Sequence, residues 1–532
     1  MTYGNTAPYA PQQNPPQPQG SQIPSMPIQN LSPSQNPQPQ IQGKPKQGNE
    51  KALLIGAIIV IILIAVEALY YAYSYLHQPS NTTILSSAVP KSTTSIPELV
   101  NTSIAMQCSV PSIQVGSSAV CRADVSGSSP TGTVAWSQSG TGSLSLSNLT
   151  CKLGSGECNI IVTGRVSSNV TLTATYNGDA GNAKSSSSTA FIVTPGVLSS
   201  LTVGGSPDYA IYDNGNKYVY ILNGGPSYTS LGTVDVLSNT SVIKEISVGS
   251  DPVYGIYDDA NGYLYILNYE SDTVSVISNT SIIATIPVGS DPSSAVYDKS
   301  NGYIYVSAFN SGTVSIISGT SIIDTITLSK YGWLKYISYN PENGYVYVLN
   351  SLNNSVYVLS GTTLLKEIPT VTSPQYSIYN PKNGYTYILD DNKTIYAVNG
   401  TSIVSIIHLN TNPTYAFYNP QNGYIYVTNY QINKISIISR TFLISNITVS
   451  SNKSTGIVYL AYNPISKYLY ESYENSVPVG DYAGKGFVSV VSGNSVIATM
   501  NVGIFPSYEV YDPSNNYIYI PSANDGIVTI IS

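Results

Sequence analysis

Between residues 197 and 532 the chain consists of short apolar, β-branched and tyrosine-rich runs separated by Gly, Asn, Asp and Pro. The unit 251–290 shows the pattern. A first run covers 253–257, a second 263–268, a third 273–277 and a fourth 281–288. Runs of this length and composition, bounded by turn residues, predict strands. Between the first two lies Asp258-Asp259-Ala260-Asn261-Gly262, where Gly262 can supply the positive φ of a tight turn. Later copies carry Asn-Pro-x-Asn-Gly there, as in Asn340-Pro341-Glu342-Asn343-Gly344, and the proline presets φ at the second turn position.

The unit recurs. Its anchor tyrosine is Tyr212, Tyr257, Tyr297, Tyr339, Tyr379, Tyr418, Tyr462 and Tyr511, at spacings of 39 to 49 residues. Four short strands repeated at that period predict the blades of a β-propeller. The repeat region opens at 198–204 with what matches a fourth strand and stops at 526–532 with what matches a third. The first strand is therefore expected to complete the last blade and close the ring, which removes exposed sheet edges. Eight anchors give eight blades, with seven as the alternative if the Tyr212 or Tyr462 copy is incomplete.

Upstream the pattern changes three times. Residues 1–50 are rich in Pro, Gln, Asn and Ser without apolar periodicity and are expected to be disordered. Residues 52–76 hold the one membrane-length apolar run, expected to form a transmembrane helix. Lys44, Lys46 and Lys51 precede it and the next lysine is Lys91, so the N-terminus is expected in the cytoplasm and the bulk of the chain outside the cell membrane. Residues 77–103 resemble a Ser/Thr-rich stalk in composition. In 104–195 alternating runs such as 132–137 and 170–176 return, and predict a small β-sandwich. The expected fold class is thus an all-β ectodomain, sandwich then closed propeller, behind one N-terminal helix.

All four cysteines, Cys108, Cys121, Cys151 and Cys158, fall in the sandwich segment. An even count in one extracellular domain reads as two disulfides. Three connectivities exist; Cys108–Cys121 with Cys151–Cys158 is the expected one, because each pair joins neighbouring strands or closes a short loop. Their spacing, with no His in the segment, argues against a metal site.

Two family resemblances sharpen this outline. Tyr424-Ile425-Tyr426-Val427-Thr428-Asn429, followed by a Thr-Val-Ser-Val-Ile-type strand, resembles the YVTN-type β-propeller repeats of secreted and surface-layer proteins, and the resemblance spans 197–532. It implies a propeller at the cell surface with no established reaction for most members; the similarity to lactonase-type propellers is one of repeat form. Ser129-Pro130-Thr131-Gly132-Thr133-Val134 and the stretch from Leu172 to Asp179 resemble bacterial and archaeal group 3 Ig-like domains. That implies a spacer or adhesion module.

Composition narrows the partners. Only 9% of residues are charged and the net charge is -7, so the chain lacks the basic face that phosphate backbones require, and nucleic acid is excluded as a partner. Low charge density suits an acidic exterior, a hypothesis that unfolding at mildly acidic pH would overturn. The histidines are His77 and His408, too few outside the membrane for a Ser-His-Asp set. No phosphate loop or His-x-His spacing occurs, and no cofactor is implied. The Asp and Asn that follow each anchor tyrosine recur with the turn and are read as turn caps.

Candidate binding residues are sought where copies disagree, because loops on a rigid scaffold carry recognition. One departure is 330–335, with Tyr331, Trp333 and Lys335; the other is 471–486, with Glu474, Asp481 and Tyr482. Eleven Asn-x-Ser/Thr sequons follow the apolar run, at Asn81, Asn101, Asn148, Asn169, Asn239, Asn279, Asn353, Asn392, Asn399, Asn446 and Asn452, and are candidate glycosylation sites. The expected function is non-enzymatic: surface recognition, adhesion or envelope architecture, with an extracellular protein or glycan partner. The alternatives are a propeller hydrolase or lactonase, and a sensor whose Pro/Gln tail engages a cytoplasmic partner. Convergent carboxylates in the channel would favour the enzyme; an aromatic, hydroxyl-lined face would favour binding.

Overall fold

The computed structural model describes residues 98–227, 229–370, 372–429, 434–449, 459–474 and 486–532. The expected tail, transmembrane helix and most of the stalk, with Asn81, Asn452, Asp481 and Tyr482, lie outside them. Among the described residues no helix is long and apolar enough to cross a membrane.

The first part is two sheets around one core. Strands Ser103–Cys108, Ser118–Ser126, Glu157–Val166 and Ser143–Leu146 form one sheet in that order. Ser112–Gln114, Ser185–Thr194, Ser168–Tyr176, Thr133–Gly140 and Thr150–Lys152 form the other. Alternating residues point inward, and Trp136, Tyr176, Phe191 and Leu172 fill the space between the sheets. Both disulfides pair as expected: Cys108 with its cross-strand partner Cys121, and Cys151 with Cys158. Trp136 Nε1 donates to Cys151 Sγ at 3.0 Å, which ties the second disulfide to the core.

The second part is a series of four-stranded antiparallel sheets, of the kind that builds a β-propeller. Strands Pro252–Asp258, Tyr263–Asn268, Thr273–Ser278 and Ser281–Pro287 form one of them, within a residue or two of the expected bounds. The second strand is buried on both faces, because neighbouring sheets pack against each side. Tyr265 and Leu267 meet Ala295 and Ile304 of the next sheet, while Leu264 and Ile266 meet Ile211 and Tyr220 of the preceding one. Each such buried side chain contributes about 1.5–3 kcal/mol. The fourth strand lies at the periphery and exposes pairs such as Ile282–Ile283 and Leu364–Leu365.

The hairpin turn behaves as its residues dictate. Gly262 holds φ +74°. Asp258 Oδ1 accepts the Ala260 amide at 2.9 Å, and Asn261 Oδ1 accepts the Tyr263 amide at 2.8 Å. Asn261 Nδ2 donates to the Tyr265 hydroxyl, and that hydroxyl donates to the Gly319 carbonyl of the next sheet at 2.9 Å. The same clasp recurs from Tyr220 to Asn279, Tyr347 to Gly400 and Tyr387 to Arg440. The insistent Tyr-Asn-Gly stretch is thus a structural joint between sheets.

The last sheet takes a strand from the other end of the region. Val197–Thr202 pairs antiparallel with Ile527–Ile531, beside Tyr517–Ser522 and Val510–Asp512. The Tyr519 hydroxyl donates to the Asn239 carbonyl of the first sheet at 2.9 Å. Ala210, Val219 and Ile221 share an apolar cluster with Tyr519, Val528 and Ile530. Where the sandwich meets the repeats, Gly196 and Ser532 exchange backbone hydrogen bonds of 3.0 and 3.2 Å.

Candidate functional site

A recurring irregularity builds the site. In each of six first strands the register slips by one residue between a Pro-like position and the residue two later: Pro207/Tyr209, Pro252/Tyr254, Pro292/Ser294, Leu334/Tyr336, Pro374/Tyr376 and Pro413/Tyr415. A β-bulge adds an unpaired residue and re-aims side chains. In four of the six, the bulged residue and the residue after it both reach the same cavity. Val253 with Tyr254, Lys335 with Tyr336, Gln375 with Tyr376 and Thr414 with Tyr415 all line it, together with Ser293, Pro413, Asp391, Tyr459 and Tyr508. Its volume is about 340 Å³.

The floor is a circuit of seven tyrosines, six from the first strands of their sheets and Tyr508 from just before Val510–Asp512. Ring centroids of Tyr336–Tyr376, Tyr376–Tyr415, Tyr415–Tyr459, Tyr459–Tyr508, Tyr508–Tyr209 and Tyr209–Tyr254 lie 4.4, 4.9, 5.7, 3.9, 4.7 and 5.0 Å apart. Ser294 takes the remaining place, and Tyr254 and Tyr336 are close enough across that gap to influence each other's phenols. Six of these seven tyrosines line the cavity, and all seven are partly exposed. Dense surrounding protein nevertheless holds every one of these phenols above its ordinary value, with burial the main cause and neighbouring phenols adding to it at Tyr209, Tyr336, Tyr376 and Tyr508. The hydroxyls therefore stay protonated and able to donate.

One wall is polar. Lys335 Nζ donates to Gln375 Oε1. Gln375 Nε2 donates to Asp391 Oδ2 at 2.8 Å and to Ser373 Oγ at 2.6 Å. Packing lowers the Lys335 pKa, which Asp391 partly offsets, and raises that of Asp391, which Lys335 partly offsets. Lys335 still exposes more than a third of its surface. Outside the lining, burial pushes Asp208 up to about 6, with Asp251 adding to the rise. Among the described residues no three His, Cys, Asp or Glu gather as a metal-binding group.

Of the residues singled out in the sequence, Lys335 reaches the cavity. Tyr331 and Trp333 do not line it; Tyr331 is exposed, and the Trp333 ring packs tilted against Phe309 with centroids 5.4 Å apart. Trp333 holds φ +69°, in the place where Asp251 and Asp291 hold φ +53° and +58° in other copies. Glu474 ends the strand Tyr468–Glu474. All nine sequon asparagines within the described residues are exposed. His408 is exposed at the end of Ser402–His408.

The tyrosine floor escaped the sequence reading. Its signal was a Tyr three residues before seven of the eight anchors, at 209, 254, 336, 376, 415, 459 and 508, preceded in most copies by Pro-x. It read as strand filler because tyrosine is common throughout.

No protein-family profile and no curated protein matches the sequence. Solved structures with similar folds are β-propeller proteins. The C-terminal WD40 domain of Sif2 is 8% identical with a TM-score of 0.49, covering 63% of this chain and 98% of that one. A streptogramin B lyase is 14% identical with a TM-score of 0.43, covering 64% and 97%. The hydrazine synthase of Kuenenia stuttgartiensis is 16% identical with a TM-score of 0.41, covering 53% and 95%.

Proposed function

We propose that this chain is a membrane-anchored, cell-surface recognition protein without catalytic activity. An Ig-like sandwich carries a closed, eight-bladed propeller, and the tyrosine-floored cup at its axis is the ligand site. Closure is supported by the pairing of Val197–Thr202 with Ile527–Ile531, the Tyr519–Asn239 clasp and the Tyr508–Tyr209 contact. The anchor rests on the 52–76 run and its flanking lysines, and the external location agrees with the two disulfides.

The cup carries the reading. Its lining is aromatic and hydroxyl-bearing, with a few fixed polar groups on one wall, which is the chemistry of a pre-formed binding site. The enzyme alternative needs carboxylates converging on the cavity, and of the lining residues Asp391 alone is acidic. The test is retention of extracellular glycans and envelope proteins by the immobilised full-length protein, compared with Tyr376→Ala and Tyr415→Ala variants. Retention that these changes weaken at least about tenfold supports the site. Turnover of a lactone with no retained ligand overturns it.

A further inference from the structure

We propose that the cup takes the uncharged terminal sugar of a glycan. This rests on the cup being the recognition site and adds the class of ligand. Three observations carry it.

The first is shape. Six tyrosines of the floor circuit line the cavity, and contacts also cross it, with Tyr415 and Tyr508 5.9 Å apart although Tyr459 lies between them in chain order. The rings crowd the floor of the cavity, a shape that suits the end of a chain. At about 340 Å³ it lies near the lower end of the roughly 300–1,000 Å³ of small-molecule sites.

The second is surface chemistry. A pyranose presents C–H patches on its faces and hydroxyls around its edge. Tyrosine rings offer an apolar body with a polar tip, which meets both. Ser293 and Thr414 add hydroxyls on the wall.

The third is charge. The lining holds one cation and one carboxylate, Lys335 and Asp391, and Gln375 bridges them. An anionic ligand would meet Asp391; a cationic one would meet Lys335. Neither sign is left uncompensated, so the wall selects against ions. Ser373 and Asp391 fix the Gln375 amide, making it a positioning residue that aims the ammonium and the carboxylate at ligand hydroxyls. Lys335 keeps further N–H donors and Asp391 its second oxygen for that purpose.

The experiment is a glycan array with the full-length protein in detergent, carrying neutral hexose, uronic acid and free-amine glucosamine termini. The wild type is expected to retain the neutral termini. Asp391→Asn, which leaves Lys335 uncompensated, is expected to shift preference toward uronic acid by about tenfold, and Lys335→Met toward glucosamine by a similar factor. Gln375→Leu is expected to weaken neutral binding about tenfold without favouring either charge. Thr414→Val, which removes one lining hydroxyl, provides a second variant should any of these misfold and is expected to weaken neutral binding without favouring either charge. Preference of the wild type for a charged terminus overturns the proposal. So does the absence of glycan binding when a protein ligand is retained and lost in Tyr376→Ala, an outcome that leaves the recognition reading standing. No retained ligand of any class overturns both.

Discussion

Replacing Glu509 by Gln should flatten the fall in stability of this protein between about pH 5 and 8. Glu471 and Glu509 both interrupt apolar positions of the repeat. Glu471 stands where other copies have Ile221, Ile266, Val306, Val348, Ile388, Val427 and Ile520. Glu509 stands where they have Ala210, Gly255, Ala295, Ile337, Ser377, Ala416 and Leu460. Glu471 is 1% exposed, and its Oε2 and Glu509 Oε1 are buried without a hydrogen-bond partner. Ser472 Oγ donates to the other Glu509 oxygen. The ion pairs among the described residues engage Arg122 and Lys299, far from either group in the chain. Burial therefore pushes Glu509 up to about 8, and Glu471 well above its ordinary value with Glu509 contributing. The sign follows from linkage. Between 4.5 and about 8 the folded protein holds a proton that the unfolded chain has released, so stability falls as pH rises through that window. At about 1.4 kcal/mol per pK unit the Glu509 rise is on the order of 5 kcal/mol. Urea denaturation of the full-length protein in detergent, followed by circular dichroism across that range, measures it. Because the two acids sense each other, the Glu471→Gln, Glu509→Gln double variant belongs in the same series. A wild-type stability that is flat or rising from pH 5 to 8, or a double variant that keeps the wild-type slope, would refute the reasoning.

Four further outcomes are expected. Below about pH 4 the slope should reverse, because Asp179, held well under its ordinary range by the Thr131 and Gly181 amides and Asn182, loses those bonds on protonation; Asp179→Asn should remove that reversal in the same titration. Tyr519→Phe deletes the clasp to Asn239 and should cost about 1 kcal/mol, the same as Tyr265→Phe, in thermal melts; a negligible effect for Tyr519 alone would contradict ring closure. Trp333→Asn relieves a bulky residue at φ +69° and should raise stability by about 1 kcal/mol while leaving cup binding unchanged, read by melting and by the glycan array. Gly255→Val places a branched side chain against Ile211 and Ile266 and should destabilise by about 1–3 kcal/mol, whereas Ala295→Gly should have a smaller effect.

The chain by itself determined the strands, the turns and the count of repeats. Asn-Gly and Asn-Pro-x-Asn-Gly admit few backbone conformations, and a second strand apolar on both faces, such as 263–268, has to be covered on both sides. The disulfide pairing was also legible, because four cysteines in one small domain leave few short loops. What the chain alone did not reveal was which tyrosines face the axis. Tyr254, Tyr257, Tyr263 and Tyr265 look alike in the sequence, yet Tyr265 clasps the next sheet and Tyr254 floors the cup. A β-bulge one residue earlier makes that difference, and a bulge is a property of pairing between strands. The irregular segment 330–335 did contribute Lys335, but its partners Gln375 and Asp391 came from a copy that looked regular. Periodicity along the chain reports local geometry; convergence on an axis depends on how successive sheets turn about one another, and that is decided in the tertiary structure.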